Sequence, residues 1–292
     1  MNNDIFHSSV FSPYKELIAY EYLWSREGSS TKRIYEELVK NNCLPSEYLN
    51  SESLFPVTSE LKEIEDFLKP RLNNFSVIFK ENVQYPRDLL NAKYPINMFY
   101  YKGNLDYLSS PCISIVGSRK MSREGAARAH KLAKSLGKKY TVVSGLAAGI
   151  DTVALTSAIE NGFPVIGVIG TPIDRYYPKE NQKLQDYIAS NFLLISQVPI
   201  YKYDHQPFNS KRNYFPERNI TMAAISEATV IVEASETSGT HTQAKACFDQ
   251  GKKLFILNSC FENPSITWPK KYLEMGAYRI NSVEEIFEIL SS

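Results

Sequence analysis

The residues best suited to chemistry lie in five short turns rich in glycine, hydroxyl and basic side chains. The first, Gly117-Ser118-Arg119, follows the apolar run CISIV. A glycine there lets backbone N–H groups approach a ligand, the helix start behind it favours an anion, and arginine adds a forked phosphate donor. Lys120, Met121 and Ser122 occupy the places where a GxGxxG dinucleotide fingerprint needs glycines, which speaks against NAD. The second turn runs from Ser144 through Gly145 to Asp151. Its small residues permit close backbone packing, and Asp151 reads best as a group that satisfies orphan amides at a helix start. The third, GTPIDRYYPKEN, sets Arg175 and Lys179 beside Tyr176 and Tyr177. Cations beside aromatics suit a ligand with phosphates and stackable bases, and a buried tyrosine pair is the alternative. In the fourth, Phe215 to Asn219, Arg218 falls in the first turn of an expected helix over 217–226. A cation there opposes the helix dipole, so a bound anion or a carboxylate partner is expected. The fifth, Glu233 to Thr240, ends in Ser238, Gly239 and Thr240, another helix start that can cradle an anion.

These turns are joined by strand–helix alternation. Short apolar runs at Cys112–Val116, Thr141–Ser144, Pro164–Ile169, Phe192–Ser196, Thr229–Val232 and Lys253–Leu257 read as strands. Helical patterns over 123–137, 150–161, 181–190, 217–226, 240–250 and 282–290 fill the intervals. Near-continuous apolar strands alternating with helices predict an α/β fold, a Rossmann-like doubly wound, mostly parallel sheet. In such sheets ligands sit beyond the carboxyl ends of the strands, where the turns lie. A small helical N-terminal domain over residues 1–72 precedes it, with helices expected at Tyr14–Trp24, from Ser30 or Thr31 to about Asn41, and at Ser59–Leu68. Leu44–Thr58, with its two prolines and several serines, reads as a loop. Residues 73–292 form the Rossmann-like domain. Its connecting segment, 73–110, carries β-like runs at Phe75–Phe79 and Met98–Lys102.

The 292 residues carry 33 basic and 32 acidic side chains, a formal charge of +1, and a near-neutral total argues against a strongly basic nucleic-acid binder. The average conceals two opposed segments. Met1–Lys69 sums to −5, whereas Arg119–Lys139 sums to +7 with only Glu124 opposing eight basic residues. Arg128, Lys131 and Lys138 belong to the outer face of a helix whose Ala126, Ala129, Ala133 and Leu136 face the core; Arg119 and Lys120 precede it. Cys43, Cys112, Cys247 and Cys260 form no CxxC pair and read as free thiols in a reducing compartment, with no metal site. No apolar run approaches the length of a membrane span, and the N-terminus shows neither a basic leader nor an apolar core, so a cytoplasmic protein without membrane association is expected. Trp24 and Trp268 read as packing anchors.

Taken together, the motifs resemble the DprA/Smf family of DNA-processing proteins. The resemblance begins at Tyr85-Pro86 and MFYYKGNLDYL (98–108). It continues through IVGSR (115–119), VVSGLAAGID (142–151), GTPIDRYYPKEN (170–181), FPERN (215–219) and VEASETSGT (232–240), and ends near MGAY (275–278), covering about two-thirds of the chain. It implies a Rossmann-like domain that dimerises, holds single-stranded DNA in a basic pocket, and protects it or passes it to a RecA-type recombinase during DNA uptake, recombination or antiphage defence. It implies DNA contacts from Gly117, Ser118, Arg119, Lys179 and Arg218, with Gly145 and Gly239 shaping the pocket. It implies no cofactor and no catalysis. Three departures stand out. Ala148 replaces the arginine usual in the second turn, Ile220-Thr221 replace a second arginine after the FPxRN motif, and ENPSITWPKKYLEMGA stands where a Gly-Thr-Asn segment is usual. Two lost arginines imply weaker DNA binding, and no winged-helix domain is expected after the sheet.

A different class of protein shares the turn chemistry: nucleotide sensors and nucleotide-cleaving enzymes of the LOG-type phosphoribohydrolase superfamily, whose PGGxGTxxE motif supplies an acid. The comparable stretch is SGTHTQ, which puts Gln243 in the acid's place. An amide is no general acid or base, so cleavage would need Glu233 in suitable geometry. His241 reads as a surface residue at a helix start. GxSxG, HExxH and Walker A sequences are absent.

Overall fold

The computed structural model describes residues 11–52 and 58–292. Nine strands form a single sheet: β1 (Ser76–Phe79), β2 (Met98–Gly103), β3 (Cys112–Val116), β4 (Thr141–Ser144), β5 (Val165–Ile169), β6 (Leu193–Ser196), β7 (Ala228–Ile231), β8 (Lys253–Leu257) and β9 (Tyr278–Ile280). Their spatial order is β1-β2-β6-β5-β4-β3-β7-β8-β9. From β6 to β9 all neighbours are parallel, and β2 adds antiparallel to β6, with β1 antiparallel to β2. This is the doubly wound, mostly parallel sheet the alternation predicts. The chain builds outward from β3 through β4, β5 and β6, then crosses back to lay β7 on the other side of β3. The order therefore reverses between β3 and β7, where such sheets open a crevice at their carboxyl edge.

Both faces of the central strands are covered. Every residue of β3, β4, β5, β6 and β7 is buried, which explains why they read as unbroken apolar runs instead of alternating ones. On the helix Arg123–Leu136, Ala129, Leu132, Ala133 and Leu136 are buried. Arg128 is half-buried and Lys131 is exposed, so much of the local positive charge lies on the solvent side.

The N-terminal helices rest on the β1–β2 side of the sheet. The helix Pro13–Ser25 is capped by Ser12 and buries Leu17, Tyr20, Leu23 and Trp24. Glu21, fully buried, is what joins it to the sheet. One carboxylate oxygen accepts from the Tyr100 hydroxyl at 2.6 Å and the Ile200 N–H at 2.8 Å, and the other accepts from the Tyr201 N–H at 3.1 Å. The carboxylate thereby caps the short helix Ile200–His205 from a distant part of the chain.

Several elements depart from the sequence reading. The described part of the expected loop 44–58 contains a helix, Pro45–Glu52; residues 53–57 lie outside the described residues. Pro45 sits at the first helical position, where a missing N–H costs nothing. The Ser46 N–H and hydroxyl donate to the Glu16 carboxylate at 2.9 and 2.7 Å. The partner that stabilises this helix start is thirty residues away, and no local pattern announces it. The helix expected over 217–226 begins at Tyr214, so Pro216 lies inside its first turn and Arg218 in its second. Strand β9 and the helices Ile200–His205, Asn258–Phe261 and Trp268–Glu274 were not anticipated. The second N-terminal helix starts at Thr31, and its latter half, Tyr35–Val39, widens to i→i+5 bonding. Among the described residues, no helix is long and apolar enough to cross a membrane. The four thiols are free; Cys43 is half-buried and the other three are buried, with burial pushing Cys247 and Cys260 up to about 12.

Burial drives the pKa of Glu21 up to about 7, against the opposing pull of its three donors. In the unfolded chain the group ionises near ~4.3. The folded state therefore holds the proton more tightly through the window from about pH 4.5 to 7, and stability falls as pH rises across it. Glu21→Gln removes that titration but sets an amide NH2 against one backbone donor, at a cost of about 1–3 kcal/mol. Urea unfolding from pH 5 to 8 is expected to show the deficit of the variant relative to wild type shrinking as pH rises to 7 and constant above. A deficit independent of pH would contradict this account of Glu21.

Candidate functional site

At the carboxyl edge, over the switch between β3 and β7, lies an open cavity of about 500 Å³. The loop after β3 supplies Gly117, Ser118, Arg119 and Lys120, and the turn after β7 supplies Ser238, Gly239 and Thr240 on the facing side. Arg218 and Asn219 reach it from the helix Tyr214–Ile225. Residues from turns far apart in sequence thus converge on one place, as the anion-binding reading requires.

The loop after β3 is held by Glu233, just past β7. The Ser118 N–H donates to the Glu233 carbonyl at 2.7 Å, and the Glu233 carboxylate takes the Ser122 N–H at 3.0 Å and the Ser122 hydroxyl at 2.5 Å. Ser122 in turn caps the helix Arg123–Leu136, its hydroxyl accepting the Gly125 N–H at 2.9 Å. Both carboxylate oxygens of Glu233 are therefore used in fixing the loop, which leaves that side chain badly placed to act as a catalytic acid. Gln243 is buried, donates to the Thr229 hydroxyl at 3.1 Å, and lines the cavity without an ionisable group.

Below the cavity Arg218 is only 4% exposed. Its guanidinium donates to the carbonyls of Gly145 and Val168 and to the Asn219 side chain. Asn219 also donates to the Gly239 carbonyl at 2.9 Å, tying the turn after β7 to the same helix. Burial lowers the Arg218 pKa to about 10, opposed by the nearby Asp151 carboxylate and reinforced by the like charge of Arg119. The expected anionic or carboxylate compensation for this cation is thus found in part in Asp151, with backbone carbonyls providing the hydrogen bonds. Asp151 accepts the Gly145 N–H at 3.1 Å, and the amides of Ala147 and Gly117 also favour its ionised form; burial raises its pKa nonetheless. It satisfies amides, as its position at a helix start implies.

Two glycines are required by this packing. A Cβ on Gly145 would overlap the Arg218 guanidinium. Gly149 has φ +82° and lies against the Ser118 carbonyl, so a side chain there would be strained and would collide. Gly239 differs: a Cβ would meet nothing within 4 Å, so the packing does not require a glycine there.

Arg119 and Lys120 are exposed at that mouth, and neither has a carboxylate partner among the described residues. The Arg119 guanidinium lies 5.5 Å from the centre of the Phe215 ring, and Tyr177 packs against Phe215 at 5.2 Å. Tyr177 is 48% exposed and Tyr176 39% exposed, so the two do not form the buried pair that was the alternative reading. The other basic residues of that turn stand apart. Arg175 pairs with Asp174 and Asp204, and Lys179 is exposed but outside the cavity lining. Ala148, in the second turn, is exposed. Among the lining residues, Asn219 and Thr237 were not singled out from sequence; Asn219 had a signal, as the last residue of FPERN.

Residues 76–291 match the family described as DNA recombination-mediator protein A. The chain belongs to that family. It is 38% identical over 173 residues to DNA processing protein DprA of Streptococcus pneumoniae, a match that covers 59% of each chain. It is 32% identical over 239 residues to DprA of Bacillus subtilis, covering 78% of each. Among solved structures, S. pneumoniae DprA superposes with a TM-score of 0.76 at 26% identity, covering 95% of this chain and 98% of that one. DNA processing protein A of Helicobacter pylori, described for its single-stranded DNA binding mode, matches with a TM-score of 0.63 at 26% identity, over 74% of this chain and 95% of that one. The family resemblance and the Rossmann-like fold read from the motifs both hold.

Removing the Arg218 side chain strands Asp151 in the interior and frees two carbonyls. Arg218→Ala is expected to lower the unfolding free energy by about 3–5 kcal/mol in urea titrations. Gly145→Ala should be destabilising through displacement of the same guanidinium, whereas Gly239→Ala should unfold within about 0.5 kcal/mol of wild type. Equal losses in the two glycine variants would show that Arg218 does not depend on close approach to Gly145.

Proposed function

We propose that this protein binds single-stranded DNA along the crevice over β3 and β7 and works as a recombination mediator, protecting the strand or delivering it to a RecA-type recombinase. The observation that carries the reading is the group at the cavity mouth: Arg119 and Lys120 without carboxylate partners among the described residues, with Arg119 against Phe215 and exposed Tyr177 alongside. Cations beside accessible aromatic faces suit a strand whose phosphates and unpaired bases are both available, which a duplex does not offer. The H. pylori relative described for its single-stranded DNA binding mode supports the same class of ligand.

The same geometry favours a binding role over a catalytic one. Cleavage of an N-glycosidic bond asks for an acid beside the ligand. Gln243 is an amide, and Glu233 is committed to Ser122. Action as a homodimer through the Rossmann-like domain, in the cytoplasm, completes the reading. Ala148 and Ile220 in place of arginines give fewer phosphate contacts, and hence weaker binding than a chain that retains them.

Titration of a fluorescent oligothymidylate at several salt concentrations tests this. Log affinity should fall linearly with log salt. Arg119→Ala should weaken binding and reduce the slope by about 0.7, the share of one phosphate contact on a single strand. Lys179→Ala, outside the cavity, should have the smaller effect. Undetectable binding at low salt would overturn the proposal, and a larger loss from Lys179 than from Arg119 would move the strand away from this crevice.

A further inference from the structure

Phe208 is the most exposed aromatic side chain among the described residues, with 72% of its surface accessible. It stands at the head of a helical run that leads into the crevice. The backbone is a 3-10 helix over Phe208–Asn213 and passes directly into the helix Tyr214–Ile225, whose Phe215 lies against Arg119 and Tyr177. At the rise of these helices Phe208 and Phe215 are about 13 Å apart along the axis. The ring is therefore carried on regular backbone, which lowers the cost of holding it ready for a ligand.

Its surroundings are basic. The Arg212 guanidinium lies 5.8 Å from the centre of the Phe208 ring, and Lys211 Nζ lies 4.6 Å from the centre of the Tyr203 ring. Neither cation has a carboxylate partner among the described residues. Asp204, the one acid between Tyr203 and Phe215, is paired with Arg175. At 5.8 Å the guanidinium is near the outer limit of a cation–π contact and leaves most of the ring open. A single exposed phenylalanine calls for no explanation. This one shares a helical run with Arg212 and Phe215, so the pairing of unpartnered cation and accessible aromatic at the crevice mouth recurs along the same surface.

We propose that Phe208 is a stacking station for a base outside the crevice, with Lys211 and Arg212 meeting the phosphates on either side of it. The proposal rests on the reading of the crevice as a single-strand site and extends the path of that strand along the helical run. A single strand alternates charge with flat apolar faces, and the surface from Arg119 and Phe215 to Arg212 and Phe208 alternates in the same way. A duplex, whose bases stack on one another, has no free face to give the ring.

Titrations of the full chain at low salt with a long fluorescent oligothymidylate and an abasic oligomer of the same length test it. Phe208→Ala should unfold at the wild-type urea concentration, since the ring is exposed. It should bind oligothymidylate about fivefold or more weakly, the lower end of what one stacked base contributes. The abasic oligomer has phosphates and nothing to stack, so Phe208→Ala and wild type should bind it alike. Phe208→Trp should keep the oligothymidylate affinity, and its emission, added to that of the buried Trp24 and Trp268, should be quenched by oligothymidylate and not by the abasic oligomer. Unchanged oligothymidylate affinity in Phe208→Ala, with a loss in Arg119→Ala, would overturn the station and leave the crevice in place. An equal loss on the abasic oligomer would overturn stacking as its role. Absence of oligothymidylate binding by the wild-type chain would overturn the crevice reading and this extension with it.

Discussion

Arg218 carries its charge into the interior beneath the cavity, surrounded by the carbonyls of Gly145 and Val168, the Asn219 amide and, nearby, the Asp151 carboxylate. The arrangement fixes the relative positions of the turn after β4, the end of β5 and the helix Tyr214–Ile225. Through Asn219 it also reaches the turn that follows β7. Lysine could not do this, since a point charge on a flexible stem lacks the planar fork that spans two carbonyls and an amide. The same cation repels Arg119 at the mouth, so the two positive groups face one another across space that an anion would make favourable. One side chain thus both supports the turns and adds positive charge beneath the cavity.

The rest of the crevice follows from where the sheet reverses its order. Parallel strands buried on both faces can meet a ligand at their ends, and at the carboxyl ends the gap between β3 and β7 brings two helix starts together. Glu21 plays a comparable part where the N-terminal helix meets the sheet: a single carboxylate collects donors from β2 and from the crossover that leads to β7. Both are buried charged groups whose removal would leave several partners unsatisfied at once.

Much of this was legible from the chain alone. Cys112–Val116, Thr141–Ser144 and Lys253–Leu257 are strands to the residue, because short unbroken apolar runs bounded by turn residues suit strands covered on both faces. That the strand-to-helix turns share one edge follows from the alternation; that the turns after β3 and β7 meet is set by the strand order, which alternation does not give. What the chain did not announce was set by partners distant in sequence. The helix at Pro45 depends on Glu16, and Arg175 is engaged by Asp204. Arg218 points inward because two carbonyls happen to meet there. Strand β9 has two exposed residues of three, so it carries no hydrophobic pattern to read.

The bond between Glu233 and Ser122 also bears on how such a fold could change its trade. Glu233, just past β7, is already a structural strut, and Gly125 is bare because any side chain there would meet its carboxylate. A lineage moving from holding nucleic acid to cutting nucleotides could not simply recruit Glu233, since freeing it would release the loop that shapes the site. The shorter evolutionary route runs through position 243, where a single replacement of the amide by a carboxylic acid would set a proton donor in the cavity lining and leave the strut in place.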